Sequence, residues 1–196
     1  MDNAQNERNT QYSQLNAYAM YHGVFLGIFG VLTLACYVLS FSYESLSLIF
    51  MVAPVISLFL ARTLTIRYRE ASGYDIAQGF GFGRAFSHTL LMGFYAGLWV
   101  ALAVFIYLRW IDQGFLFNCM EVHLGRPEMI EMLQQSGVPE TFGIPDDADL
   151  PSTLANVMRS VSPITYAVSF LYFNILLAPI LSVLVALFCI KRPRTM

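Results

Sequence analysis

The sequence predicts an all-α polytopic membrane protein with four transmembrane helices, and two observations lead to this prediction. Four stretches lack Asp, Glu, Lys and Arg and together fill most of the chain: residues 9–43, 45–61, 85–108 and 160–190. Each is close to or longer than the roughly 17–25 residues that a helix needs to cross a bilayer. Only 12% of the residues are charged, about half the roughly 25% that is usual in soluble domains. We therefore expect a single membrane domain, residues 1–196.

The four transmembrane helices are predicted at about residues 15–42, 45–63, 85–108 and 164–190. Tyr18 and Tyr37 lie near opposite ends of the first helix, where aromatic side chains typically meet the membrane interface. Proline removes a backbone hydrogen bond from a helix, so Pro54 in the second helix and Pro179 in the fourth predict kinks. The first apolar stretch is longer than that of a signal peptide, and we expect it to be retained as a helix.

Small residues recur at every fourth position of the third helix: Ala85, Thr89, Gly93, Gly97 and Ala101. The first helix has a similar series, Ala19, Gly23 and Gly27. Water does not drive helices together inside a bilayer, so close backbone approach over small residues is important there. We therefore expect helix packing within one four-helix bundle at Gly23, Gly27, Gly93, Gly97 and Ala101. A seam between two copies of the chain is the alternative.

Residues 109–162 form the one long segment outside the predicted membrane helices. A short helix is predicted from Pro127 to a stop at Gly137, because proline suits the first turn of a helix and glycine suits its end. A second is predicted over 151–161, with an apolar face made of Leu154, Val157, Met158 and Val161. These apolar faces either lie on the membrane surface or cap the bundle.

The basic residues are distributed unequally between the two sides that four crossings define. One side carries eight: Arg8, Arg62, Arg67, Arg69, Arg84, Lys191, Arg192 and Arg194. The other carries three: Arg109, Arg126 and Arg159. Because cytoplasmic loops hold an excess of Lys and Arg, we expect both termini in the cytoplasm and the helical segment 109–162 outside it.

Three features of the chain resemble a known family. They are the Phe82–Phe86 entry to the third helix, FGRAF, the pair Ile111-Asp112 directly after that helix, and the outer helical segment before the fourth. From about Ala17 to Arg192 the chain resembles the bacterial inner-membrane proteins of domain of unknown function 4199. The resemblance implies four spans and a multi-pass protein of the bacterial inner membrane, and no activity or functional residue. Prolines interrupt the outer segment here, which argues against one long outer helix.

Three potential metal ligands lie near the same ends of their helices: His22, His88 and Cys189. No two of them are four residues apart on one helix, and no Asp or Glu completes a set. We therefore expect no metal and no cofactor. The favoured interpretation is a histidine bonded to a backbone carbonyl, or His88 sharing a lipid phosphate with Arg84. Because no catalytic motif occurs, we do not expect an enzyme. No nucleic-acid partner is expected either.

The two halves of the chain show a weak internal similarity. Residues 22–30, HGVFLGIFG, align with residues 88–96, HTLLMGFYA. Residues 53–61, APVISLFLA, align with residues 178–186, APILSVLVA. We interpret this similarity as a duplication with both halves in the same orientation. Chance matches between apolar helices are the alternative. A duplication predicts that His22 and His88 lie at matching depth.

The leading function from the sequence is a non-catalytic inner-membrane protein that acts through assembly or partner contacts. The expected partners are the lipid bilayer and a second copy of the chain or another inner-membrane protein. The alternative is a small transporter or permeation subunit, because proline-interrupted helices in two halves often mark a substrate site. That site would be lined by Pro54, Ser57, Asn174, Pro179 and Ser182. A polar cavity would favour transport, and a dry close-packed interior would favour assembly.

Overall fold

A computed structural model of the chain describes residues 2–72, 79–137, 139, 144–145 and 149–191, and of residues 2–4, 7 and 8 only the backbone. The described helices are α1 (Asp2–Ser40), α2 (Ser45–Ala71), α3 (Phe82–Ile106), α4 (Phe115–Leu124), α5 (Pro127–Gln135), α6 (Leu150–Ser160) and α7 (Pro163–Cys189). A π-helical turn, Tyr107–Ile111, continues α3. The side chain of Arg8, and Arg192 and Arg194, which count toward the predicted orientation, lie outside the described residues.

Within the described residues, four helices are long and apolar enough to cross a membrane. They are Asn9–Ser40, Ser45–Ala71, Phe82–Ile111 and Pro163–Cys189, each with a window of mean hydropathy between 2.0 and 2.3. The prediction of an all-helical protein with four such helices is therefore confirmed. Two of the helices are longer than predicted: α1 begins at Asp2, and α2 continues beyond residue 63 to Ala71.

The long helices turn much of their apolar surface outward. Met51, Leu176 and Phe188 are 72%, 72% and 71% exposed. Monomeric soluble proteins rarely expose large contiguous apolar patches to water. Hydrocarbon chains of a bilayer would solvate these side chains, so the exposure is that of a multi-pass membrane protein.

The chain forms two compact units, residues 1–103 with 168–196 and residues 104–167. The first contains α1, α2, most of α3 and most of α7; the second contains α4, α5 and α6. The single domain of residues 1–196 stays a prediction.

In the first unit, one group of contacts joins the ends of three helices. Phe80 and Lys191 exchange two backbone hydrogen bonds of 2.9 and 3.1 Å, which tie the entry of α3 to the residue just after α7. Arg69 of α2 donates through its guanidinium to the carbonyl of Cys189, 3.2 Å away. That carbonyl is at the C-terminus of α7, where helix carbonyls lack partners and positive charge is favourable.

In the second unit, the side chain of Asp112, one of the sequence features noted above, bonds to the backbone at the start of α4. Its side chain is 4% exposed, and its carboxylate accepts hydrogen bonds from the amides of Gly114 and Leu116 at 3.1 and 2.9 Å. These bonds satisfy amides at the start of α4. They also hold a turn in which Gln113 and Gly114 have φ values of 45° and 89°. Asp112 is therefore a structural residue.

The outer segment consists of short helices. Helix α5 and the positive φ of Gly137, 70°, confirm the first predicted helix and its stop. Helix α6 confirms the second within one residue at each end. Its apolar face was predicted incorrectly in part: Leu154 is buried, whereas Val157 is 41% exposed, because the buried side of the helix is centred on Ala155.

The sequence did not predict α4, which carries one half of a polar contact. Arg159 of α6 donates to Glu121 and Asn118 of α4 at 2.6 and 2.7 Å. This contact links two elements of the second unit.

Candidate functional site

Helices α1 and α3 pack backbone against backbone at Gly23. A Cβ atom at Gly23 would lie 2.5 Å from Cβ of Tyr95 and 3.0 Å from the carbonyl oxygen of Met92. One turn later, a Cβ at Gly27 would lie 2.8 Å from Cβ of Trp99. Two of the predicted packing residues thus lie at this close approach, which we call the α1–α3 seam.

Helices α3 and α7 meet differently. A Cβ at Gly93 would lie 3.5 Å from Cβ of Ala178, an ordinary contact distance. At Gly97 the space is filled by a side chain, because a Cβ there would lie 2.9 Å from Cγ of Asn174. Ala101, the remaining predicted packing residue, is 8% exposed. We call this contact the α3–α7 seam.

The α1–α3 seam brings two histidines together inside the first unit. Nδ1 of His22 lies 3.1 Å from Nε2 of His88. His22 is 5% exposed and His88 is fully buried. The ring of His88 also stacks on Tyr68, with ring centroids 4.5 Å apart and planes 5° from parallel.

The other nitrogen of His88 continues into a hydrogen-bond chain. His88 Nδ1 lies 3.2 Å from the hydroxyl of Thr65, which lies 3.1 Å from the hydroxyl of Thr89. Thr89 donates its hydroxyl proton to the carbonyl of Ala85, 2.9 Å away.

A single donor order satisfies every bond of this chain when both histidines are neutral. A hydroxyl carries one proton. Because Thr89 gives its proton to Ala85, Thr65 must donate to Thr89. His88 Nδ1–H then donates to Thr65, which leaves Nε2 of His88 as the acceptor from Nδ1–H of His22. The remaining nitrogen of His22, Nε2, therefore carries a lone pair.

Two sequence interpretations of the histidines need correction. A fully buried His88 cannot share a lipid phosphate with Arg84, so that interpretation is wrong. His22 bonds to His88, where the sequence favoured a backbone carbonyl. Cys189 does not join the pair, since its Sγ lies 3.8 Å from the carbonyl of Arg62. In the described part of the chain, no three His, Cys, Asp or Glu residues are grouped so that they could hold a metal ion.

The hydrogen-bond chain ends at the wall of a cavity inside the first unit. The cavity has a volume of about 160 Å³ and receives residues from α1, α2, α3 and α7. Most of its wall is apolar, including Leu26, Met92 and Val185. The polar side chains among its described lining residues are those of Ser57, Thr89, Asn174 and Ser182.

Each hydroxyl group of the wall already donates its proton to a backbone carbonyl of its own helix. Ser57 donates to Ala53 at 2.9 Å, and Ser182 donates to Ala178 at 2.6 Å. Thr89 does the same with Ala85. Each oxygen therefore presents only lone pairs to the cavity. Asn174 adds an amide that can both donate and accept. Among the described lining residues, none is charged, so the wall suits an uncharged molecule that carries hydrogen-bond donors.

Comparison with family models gives a match over residues 21–191, to the family described as Protein of unknown function (DUF4199). The chain belongs to this family. The resemblance noted from the sequence is therefore confirmed. Comparisons with curated proteins and with solved structures gave no match. The matched range contains the histidine pair and every described residue that lines the cavity.

In this DUF4199 protein, the structure brings together three of the five residues predicted for a transport site. Ser57, Asn174 and Ser182 line the cavity. Pro54 and Pro179 lie within α2 and α7, but their side chains are exposed and they are not among the lining residues.

Sequence reasoning missed the role of Thr65 and Thr89. Thr65 lies beyond residue 63, where the second helix was predicted to end. Thr89 stood in the series of small residues and was interpreted as a packing residue only. The available signal was the adjacency of Thr89 to His88, which places two polar side chains on neighbouring faces of one apolar helix.

The internal similarity has a structural counterpart. Ser57 and Ser182, aligned by the similarity, both donate to the carbonyl four residues earlier and both line the cavity. Ala53 and Ala178, likewise aligned, are 3% and 5% exposed. His22 and His88 are in direct contact, as expected for residues at matching depth. The duplication itself stays a hypothesis.

Proposed function

We propose that this chain is a non-catalytic membrane protein that binds a small uncharged solute in the cavity and lets it permeate. The observation that carries the proposal is the cavity wall, where four polar side chains face a space of about 160 Å³ between apolar helices. A protein that served only to assemble with partners would have no need of such a space in its interior. Of the two functions considered from the sequence, the geometry therefore favours permeation.

The wall also limits the chemical class of the solute. An ion would lose its hydration without gaining an opposite charge, and this is costly in an apolar interior. A solute with several O–H or N–H groups would donate to the oxygens of Ser57, Thr89 and Ser182. A water molecule occupies about 30 Å³ in the liquid, so the volume suits several waters or one small polyol. Glycerol is the probe that we choose.

Glycerol flux through liposomes that contain the protein tests this proposal. Stopped-flow light scattering should show faster glycerol entry than in protein-free liposomes. Ser182→Ala removes the oxygen with little change in side-chain size, and it should reduce the flux several-fold. Ser169→Ala is the matched control, since Ser169 is an exposed serine of the same helix. The proposal fails if the wild type is no faster than empty liposomes, or if both variants behave alike.

A second candidate is assembly with another membrane protein or with a second copy, and one observation favours it. Val122 of α4 and Met132 of α5 are 76% and 63% exposed, although they lie outside the four long apolar helices. Native mass measurement after gentle detergent extraction would report such a complex. The change of both residues to Glu should release the partner, with Glu128→Gln as a surface control. A monomer in the wild type would contradict assembly.

The orientation that we propose places both termini in the cytoplasm and residues 109–162 outside it. The eight-to-three distribution of basic residues supports it, and the resemblance noted from the sequence supports a bacterial inner membrane. In a variant without the native cysteines, Ser136→Cys should react with an impermeant maleimide in intact cells, and Ser72→Cys should not. The opposite pattern would reverse the orientation.

A further inference from the structure

The hydrogen-bond chain that begins at the histidine pair has one residue in the wall of the cavity, and this residue links the two sites physically. Thr89 is both the last hydroxyl of the hydrogen-bond chain and part of the cavity wall. Thr65, the hydroxyl before it, is not among the lining residues. A change of charge at the histidines can therefore reach the cavity wall through the hydrogen bonds of Thr65.

From this arrangement we infer that His22 and His88 form a one-proton binding site whose occupancy weakens the binding of a donor-bearing solute in the cavity. The inference rests on the proposed function for the solute but not for the proton. Its ligands are a proton at the pair and an uncharged hydrogen-bond donor at Thr89.

The donor order fixes where the proton binds. When both rings are neutral, Nε2 of His22 takes part in none of the hydrogen bonds of the chain, so its lone pair can accept a proton. His22 is 5% exposed, whereas His88 is fully buried. A proton that binds there makes His22 an imidazolium. Its Nδ1 proton then faces Nε2 of His88 across 3.1 Å and can pass to it. One proton enters, none leaves, and the two rings share a single positive charge.

One retained hydrogen bond and one aromatic contact accommodate that charge. In both protonation states His88 Nδ1–H donates to Thr65, so no bond of the chain breaks. The ring of Tyr68 stacks on His88, and an aromatic face attracts a cation. The titratable and charged groups around the pair are Tyr18 and Tyr21 of α1 and Arg67 and Tyr68 of α2. The charge of the first proton, together with that of Arg67, repels a second proton.

The sign of the coupling follows from the direction of the chain. A positive His88 makes its Nδ1–H a stronger donor, and each hydrogen bond in a chain polarises the next. Thr65 then donates more strongly to Thr89, and this stronger bond withdraws electron density from the lone pairs of the Thr89 oxygen. That oxygen becomes a weaker acceptor for a solute in the cavity. By thermodynamic linkage, a bound solute must oppose protonation of the pair to the same extent.

Nitrogen-15 NMR of the histidines in lipid nanodiscs tests the proton site directly. The chain has three histidines, and His123, outside the four long helices, is an internal reference. The resonances of His22 and His88 should titrate together with uptake of one proton. Separate titrations with two protons, or no titration of either ring, would overturn the proton site without any bearing on glycerol.

Glycerol flux at different pH values tests the coupling. Acidification through the midpoint of the histidine titration should lower the flux of the wild type by about fivefold, the lower end of typical coupling between sites. Thr65→Val removes the linking hydroxyl without changing a lining residue, so its flux should persist but lose the pH dependence. Thr65→Ser should restore it.

The outcomes separate the two proposals. A wild type that passes glycerol independently of pH overturns the coupling and leaves the proposed function standing, and so does a Thr65→Val variant with unchanged pH dependence. A wild type that passes no glycerol overturns both the function and the coupling. The titration without glycerol still decides whether the pair binds a proton.

Discussion

The two seams of α3 are built from similar residues and yet pack differently. At the α1–α3 seam, the backbone of one helix fills the space beside Gly23 of the other, as the distance of 3.0 Å to the carbonyl oxygen of Met92 shows. At the α3–α7 seam, Gly97 faces the side chain of Asn174, and Gly93 has ordinary contact with Ala178. Gly93 also lines the cavity, and on the side of the first seam Leu26 and Met92 line it as well.

The difference shows what a glycine does in each position. Close backbone approach at Gly23 places the neighbouring His22 within hydrogen-bond distance of His88. At the second seam, the space saved by glycine is used for an amide and for the cavity. A series of small residues allows both outcomes. The first seam supports the histidine pair, and the second borders the cavity.

The largest expected effect belongs to Gly23→Ala. The added methyl would have to push α1 away from the backbone of α3. Overpacking typically costs about 1–3 kcal/mol, more than the roughly 1 kcal/mol that alanine gains over glycine in helix propensity. We expect a lower melting temperature in detergent and separate titrations of the two histidines, since their contact depends on this approach.

Gly83→Ala is the matched control for that prediction. Gly83 lies in α3, and a Cβ at this position would meet nothing within 4 Å. Its melting temperature should be unchanged or slightly higher. If Gly23→Ala melted like Gly83→Ala, the α1–α3 seam would have to be looser than the structure shows.

The helices and the outer elements were largely predictable from the sequence. Charge-free length predicts the long helices because a bilayer demands about 20 apolar residues in a row. Pro127 and Gly137 predict α5 because both residues have strong positional preferences. The polar contact of α4, Glu121 with Arg159, could not be predicted because it joins residues far apart in the sequence.

The candidate site was predictable only in part. The similarity between the regions around Ser57 and Ser182 pointed to the cavity wall. It also pointed to Pro54 and Pro179. Proline acts on the backbone hydrogen bonds of a helix, and the sequence does not determine which way its side chain points. The partner of His88 could not be predicted, because His22 and Thr65 reach it only through the register of α1 and α2 against α3.

The second prediction concerns Gly97→Ala, which should destabilise the protein less than Gly23→Ala. Here the obstacle is the side chain of Asn174, 2.9 Å from the new Cβ, and a side chain can rotate away. The double variant Gly97→Ala with Asn174→Ala should recover the melting temperature of Asn174→Ala alone, because residues in contact are not additive. Additive losses in a double-mutant cycle would mean that the two residues do not share this space.

The smallest expected effect, and the one of opposite sign, belongs to Gly93→Ala. A Cβ 3.5 Å from Ala178 makes an ordinary contact, so helix propensity should decide, and we expect a gain of at most about 1 kcal/mol in the free energy of unfolding. The same methyl would enter the cavity, because Gly93 lines it, and glycerol flux should fall. Greater stability with lower flux would show that the α3–α7 seam keeps its glycine to leave space for a solute. A loss of stability would show instead that Gly93 is needed for packing, and the distinction between the two seams would disappear.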